Sequence, residues 1–296
     1  MIRALHSGDE EQLEAFLVRH ADFSMFLRSN SRAAGLVYEG KPLQAHYVAA
    51  FDGDRIIAVA AHCWNDMLLV QAPVDVVGVA RAAVAQSGRP VAGLSGPAEQ
   101  VLAARTALGL DDRPTPKFGR EELFALDLAD LVVPAPLNDG RWSCRHPRAD
   151  ELEFLVDWRV DYAREALQFP DSPGLRSECR QELMLVYGLG SNWVLEDGGL
   201  VSYSAFNARL PDIVQVGGVW TPRQLRGRGY GRAVVAGSLL EVRGTGVRRA
   251  VLFAEREDAK RAYGGIGFRV VGEYGLVLFA GKETTGYEGD AEPPGR

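Results

Sequence analysis

The sequence predicts an α/β protein with a mixed central sheet, and it predicts that plan twice. Three observations carry this reading. Short runs rich in Val, Leu and Ala alternate with longer segments whose apolar residues recur at helical spacing. Turn sequences at Asp52-Gly53-Asp54 and Asp197-Gly198-Gly199 join consecutive strand-like runs into hairpins. The order of elements after residue 141 is echoed in the first 130 residues.

In the second half, 142–145 reads as a short strand. A helix follows over 150–166, with Leu152, Leu155, Val156, Val160 and Ala163 as its apolar stripe and Asp150 near its start. A second helix covers 176–187. Strands at 192–196 and 200–206 form the hairpin, and 213–220 is a third strand. Helix 229–243 carries apolar Val234, Val235, Leu239 and Leu240. Strand 249–254, a short helix at 258–264 and strands at 268–271 and 276–279 complete the half. The first half gives a helix at 9–19, strands at 45–51, 55–61 and 67–71, a helix at 74–86, a strand at 90–94, a helix at 97–107 and a strand at 122–126. A repeat of roughly 140 residues is too long for a solenoid unit. It reads as a duplicated domain, with two unrelated α/β domains as the alternative. Pro134, Pro136 and the turn Asn138-Asp139-Gly140 mark the boundary. The domains are therefore placed at 1–130 and 141–282. The remainder, 283–296, lacks apolar periodicity and is expected to be a flexible tail.

Composition narrows the function. The 296 residues suit two domains, and 47% of them are hydrophobic, enough for real cores. A formal net charge of −6 argues against the broad basic surface that nucleic acid requires. Cys63, Cys144 and Cys179 are far apart and the histidines are scattered, so no metal-ligand spacing exists. Neither a signal peptide nor a run of roughly 20 apolar residues is present. A soluble, cytoplasmic protein without membrane partners is expected.

The informative stretch is 219–235, VWTPRQLRGRGYGRAVV, read as strand, loop and helix. Gly227, Gly229 and Gly231 permit close backbone approach and positive φ. A glycine-rich turn that opens a helix directs unpaired N–H groups at one point, where the helix dipole adds positive charge. That is a phosphate cradle. Arg223, Arg226, Arg228 and Arg232 place four arginines in ten residues of an acidic chain, which suits a polyanion. A P-loop needs a Lys after its glycines and a dinucleotide fingerprint needs G-x-G-x-x-G; neither spacing is met.

Arg226-Gly227-Arg228-Gly229-Tyr230-Gly231 resembles R/Q-x-x-G-x-G/A, the coenzyme A pyrophosphate motif of the GCN5-related N-acetyltransferase family. Trp220-Thr221-Pro222 before it matches the family's flank. The run 258–268, with Ala259, Tyr263, Gly267 and Phe268, resembles the family's A-x-x-x-Y-x-x-x-G-F segment. The resemblance covers about 141–280. It implies two tandem acyl-coenzyme A N-acyltransferase-like domains and direct transfer of an acetyl group from acetyl-coenzyme A to a primary amine. It implies that Val219, Trp220, Thr221, Arg226, Gly227, Arg228, Gly229, Tyr230, Gly231 and Arg232 bind the co-substrate. A backbone N–H near Val219 or Trp220 is expected to hold the oxyanion. Tyr263, with a reference pKa of about 10, is the expected acid for the leaving thiolate. Glu255 is the expected base, with Asp212 and Glu196 as other candidates. An acyl-coenzyme A sensor without catalysis is the alternative function.

The corresponding loop of the first half, after 67–71, has no such motif. Asp75 stands there and is expected to repel phosphate. Arg105 takes the place of Tyr263, so the first copy is read as degenerate. His62 and Cys63 are adjacent on a strand and are expected to point to opposite faces.

Overall fold

The computed structural model describes residues 1–280. The tail expected at 283–296 lies outside the described residues. The first half contains β1 (Ile2–Ala4), α1 (Glu10–Leu17), α2 (Met25–Ala34), β2 (Ala45–Asp52), β3 (Arg55–Cys63), β4 (Met67–Gln71), α3 (Val76–Ser87), β5 (Gly93–Pro97), α4 (Ala98–Ala107) and β6 (Lys117–Asp127). The second contains α5 (Ala135–Asn138), β7 (Ser143–Arg145), α6 (Leu152–Glu165), α7 (Leu175–Gly188), β8 (Asn192–Glu196), β9 (Leu200–Arg209), β10 (Ile213–Trp220), α8 (Tyr230–Arg243), β11 (Arg249–Ala254), α9 (Glu257–Gly264) and β12 (Arg269–Leu278).

Two compact units result, one of 1–120 with 274 onward and one of 121–273. In the first, β1 to β5 lie in sequence order, and Tyr274–Leu278 of β12 pairs antiparallel with β5. In the second, β7, β8, β9, β10 and β11 follow in order, and 122–127 of β6 pairs antiparallel with β11. Each unit holds one parallel pair, β4 with β5 and β10 with β11.

Strand periodicity sorts the side chains into two layers. On β3, Ala58 and Ala60 face the apolar side of α3 and α4, while Val59, Ala61 and Cys63 face α1 and α2. In the second unit, α8 covers Trp193, Val214 and Leu252, and α6 and α7 cover Val194, Tyr203 and Trp220. Among the described residues no helix is long and apolar enough to cross a membrane. Nor is any group of three or more His, Cys, Asp or Glu among them placed to hold a metal ion.

The structure draws the division differently from the Pro-rich 131–140 segment. The first unit takes a strand from beyond residue 273, so a single cut in the chain does not separate the two. Sequence reasoning also missed β1 and α2. Three residues are too few to show a period. α2 carries Ser29, Asn30 and Ser31 in its middle and buries Arg28, whose charge meets Glu14 at 2.6 Å. The two expected final strands are one. Gly275 reads as a break, but it sits where an added Cβ would stand 2.9 Å from Cβ of Val101, a close approach of strand to helix.

Val277 is buried in the first unit's core beside Leu94 and Val101. Val277→Ala is expected to cost that unit about 2 kcal/mol. Hydrogen exchange checks this: amides of β5 should lose protection while those of β11 keep it.

Candidate active site

β10 and β11 run side by side from Ile213↔Arg249 to Val216↔Leu252, and there the pairing stops. β10 bulges at this point. Gly218 takes φ +61, and Gly217 lies so close to the Asn207 side chain that a larger residue there would displace it. Beyond the bulge β10 stays on β9, with Trp220 opposite Tyr203, but among the described residues it no longer pairs with β11. An opening between two parallel strands is the result, at the end of β10 from which the glycine-rich loop departs.

That loop is bare of acceptors. Gly227 (φ +79) and Gly229 (φ +86) use backbone space that L side chains avoid. The first amide with a helical acceptor is that of Ala233, bonded to the Gly229 carbonyl. The amides of Gly227, Arg228, Gly229, Tyr230, Gly231 and Arg232 find no acceptor among the described residues. Gly227, Arg228 and Arg232 are exposed. The Arg232 guanidinium lies alongside, since a Cβ at Gly229 would stand 3.2 Å from its Nε.

The other expected residues have divided roles. The Tyr230 side chain is buried under the helix, stacks on Trp142 at 4.9 Å and donates to Asp197 at 2.5 Å, so only its amide faces the loop. Thr221 Oγ1 lies 2.9 Å from Ser202 Oγ. Val219 packs against the α8 core and Trp220 against α6 and α7. The Arg226 guanidinium sits 4.8 Å from the Trp220 ring centroid, donates to the Thr221 carbonyl and turns back to Glu165 at 2.6 Å.

Glu165, at the end of α6, had no signal in the sequence. It lies 61 residues from Arg226, which its side chain holds together with Arg223 at 2.8 Å and Arg256 at 3.4 Å. The Arg226 guanidinium first, and Arg223 after it, hold its carboxyl below the usual range. Tyr263 on α9 is 9% exposed and stands edge-on to Phe268 at 6.2 Å; its carbonyl accepts from the Ile266 and Phe268 amides, while its hydroxyl has no hydrogen bond among the described residues. Burial, with smaller contributions from Tyr162 and Asp258, raises its hydroxyl above the ordinary phenol value, so it stays protonated at neutral pH. Glu255 is exposed just past the end of β11. Asp212 lies before the opposite end of β10, away from the opening. Glu196 is engaged by Arg145 at 2.5 Å, which lowers its pKa and weakens it as a base.

No family model matches the sequence, and no curated protein matches it. Solved structures do. A tandem N-acetyltransferase of the GCN5-related family from the clavulanic acid biosynthesis pathway aligns with TM-score 0.53 and 13% identity, over 95% of this chain and 98% of that one. A GCN5-related N-acetyltransferase from Sphaerobacter thermophilus aligns with TM-score 0.54 and 17% identity, over 94% of both. A GCN5-related glucosamine N-acetyltransferase region of a fungal multi-domain GH3 β-N-acetylglucosaminidase gives TM-score 0.55 and 14% identity over 94% of this chain, which spans only 38% of that protein. The fold is that of a tandem GCN5-related N-acetyltransferase. In this fold a parallel strand pair recurs in both units, β10 with β11 and β4 with β5.

The first unit of this N-acetyltransferase fold closes its own loop. Asp75 caps α3 from a left-handed conformation and its carboxylate accepts from the Gly78 amide at 3.2 Å. Gln100 takes the Ala72 amide at 2.6 Å. Arg105 is occupied with the carbonyls of Leu110 and Asp111. His62 and Cys63 do point apart: His62 Nδ1 meets Ser87 Oγ at 2.5 Å, while Cys63 lies in the α1 and α2 core.

Glu165→Gln tests the arginine hub. The folded pKa of Glu165 lies below its unfolded value, so its stabilisation is present above the latter and is lost as pH falls through the former. Thermal melts should show the variant about 1 kcal/mol less stable at neutral pH. The difference from wild type should vanish at the acid end.

Proposed function

We propose that this chain transfers an acetyl group from acetyl-coenzyme A to a primary amine, with the second unit carrying the chemistry. The run of six unpaired amides from Gly227 to Arg232, at a helix N-terminus beside the strand opening, is the observation behind this reading. Diphosphate oxygens suit it, because each amide exchanges a water for a charged acceptor at roughly 1.5–3 kcal/mol per bond. Arg228 and Arg232 add charge at the rim. Arg226 serves differently, bracing the loop through Glu165 and the Trp220 face.

The remaining roles follow from position. Amides of Val219 and Trp220, past the point where β10 leaves β11, are the donors for the carbonyl oxygen as it gains charge. Tyr263, kept neutral by burial, supplies the proton that the departing thiolate requires. Glu255, exposed where β11 ends, takes the proton of the incoming amine directly or through water. Holding both reactants in one opening contributes much of the rate. The first unit, its loop capped by Asp75, serves as a structural partner rather than a second co-substrate site.

Two variants test this. Gly229→Val forces a branched residue into φ +86 and crowds the amides. Calorimetry should show acetyl-coenzyme A affinity reduced at least roughly tenfold, the loss of one charged hydrogen bond or more, with the circular dichroism spectrum retained. Affinity at the wild-type level would remove the cradle assignment. Tyr263→Phe should lower kcat roughly 10²-fold in a thiol-release assay while co-substrate affinity persists. Undiminished kcat would remove Tyr263 from the proton transfer.

A further inference from the structure

A small cavity lies between α6 and the bulged end of β10. Leu155, Trp158, Arg159 and Tyr162 line it from one face of the helix, and Tyr203, Gly218 and Trp220 from the sheet. Its volume is about 10 Å³, room for one water-sized oxygen. Two of its lining residues carry buried donors without a partner, Arg159 Nη1 and Trp220 Nε1. Trp220 is only 6% exposed.

Arg159 is built to face inward. Its outer edge is spent on Glu182, with Nε and Nη2 at 3.1 and 2.5 Å from one carboxylate oxygen. Its plane rests on Tyr162, with Cζ 4.9 Å from the ring centroid. What remains is one N–H edge, desolvated and unanswered. Other arginines also hold an orphan nitrogen, but Arg159 shares its cavity with a second orphan donor. Leaving two donors unpaired in one place is costly, and such groups call for an acceptor.

We infer that Arg159 and Trp220 receive a carboxylate oxygen of the acceptor, so that the substrate class is primary amines that also carry a carboxylate. This rests on the acyltransferase reading above and names its substrate class. A water-sized cavity admits one carboxylate oxygen but not a larger group. Two buried N–H donors on residues that line one cavity, one of them on a guanidinium, favour an anionic acceptor over a neutral one. A carboxamide can place its carbonyl oxygen there, but without charge. Trp220 closes the wall of the cavity while its own strand segment borders the opening where transfer occurs, so an amine anchored here lies next to the reacting centre.

The test uses the full chain with acetyl-coenzyme A and matched pairs: glycine, L-alanine, β-alanine and 4-aminobutanoate, each against its carboxamide. The carboxylate members should show kcat/KM at least tenfold higher, mainly through KM. Arg159→Gln should erase that preference and Arg159→Lys should restore part of it, both with unchanged acetyl-coenzyme A affinity by calorimetry. Equal turnover within pairs, or a preference that survives Arg159→Gln, overturns the inference. Succinyl-coenzyme A as donor separates the other source of a carboxylate. If it is preferred over acetyl and that preference depends on Arg159, the anion belongs to the acyl chain and the acceptor assignment falls. If no amine is acetylated, saturation-transfer NMR with the same pairs decides: contact from the carboxylates in wild type but not in Arg159→Gln supports the inference, and equal contact overturns it. Failure of acetyl-coenzyme A to bind would instead count against the acyltransferase reading and leave that binding result to stand.

Discussion

Backbone amides at the start of a helix need acceptors from outside it, and from Gly227 to Arg232 six in a row have none among the described residues. Water serves them only while the loop is open to solvent. The rest of the second unit is arranged around keeping it open. Gly227 and Gly229 hold the backbone at positive φ. The Tyr230 ring is drawn inward to Asp197 and Trp142, so that it does not fill the space. Arg226 is engaged by Glu165 and the Thr221 carbonyl. The first unit shows the opposite solution on the same scaffold. There Asp75 caps the helix N-terminus from within, its carboxylate accepting from the Gly78 amide.

α6 links the two sides of the opening. One face of it carries Arg159 and Tyr162 to the sheet, and its last residue, Glu165, grips the arginines of the loop. A shift of this helix changes the aromatic wall and the loop's charge together. Only one of the three guanidiniums on Glu165, that of Arg226, is substantially shielded from solvent. The hub therefore sets geometry more than stability.

Much of this was legible in the sequence, for physical reasons. Glycine spacing and arginine density point to a loop at a helix start, and the second segment at 258–268 gives that spacing its weight. Alternation gave the hairpins, and the opposed faces of His62 and Cys63 follow from a period of two. Contacts between distant positions were not legible. Glu165 looks like any helix-end carboxylate, and Arg159 like any polar residue in an amphipathic helix. Their meaning lies in partners such as Glu182, Arg226 and Trp220, which only the fold brings together. Polar packing also hid α2, where Arg28 and Asn30 occupy buried positions that a hydrophobic pattern reserves for apolar residues. The Pro-rich segment gave no sign of the return of Tyr274–Leu278 to β5, because local turn chemistry says nothing about which strand a later segment will join.

The return of Tyr274–Leu278 to β5 has a consequence for how the protein is made. A ribosome releases the first 120 residues long before it reaches the strand that completes their sheet. At roughly 5–20 residues per second, the intervening stretch takes on the order of 10–30 s to synthesise. Through that interval β5 has a bare edge, the kind of surface that chaperones cover and that stray chains pair with. Nascent-chain quality control therefore bears on the first unit until Tyr274–Leu278 has emerged, and a stop codon ahead of residue 274 harms the beginning of the protein.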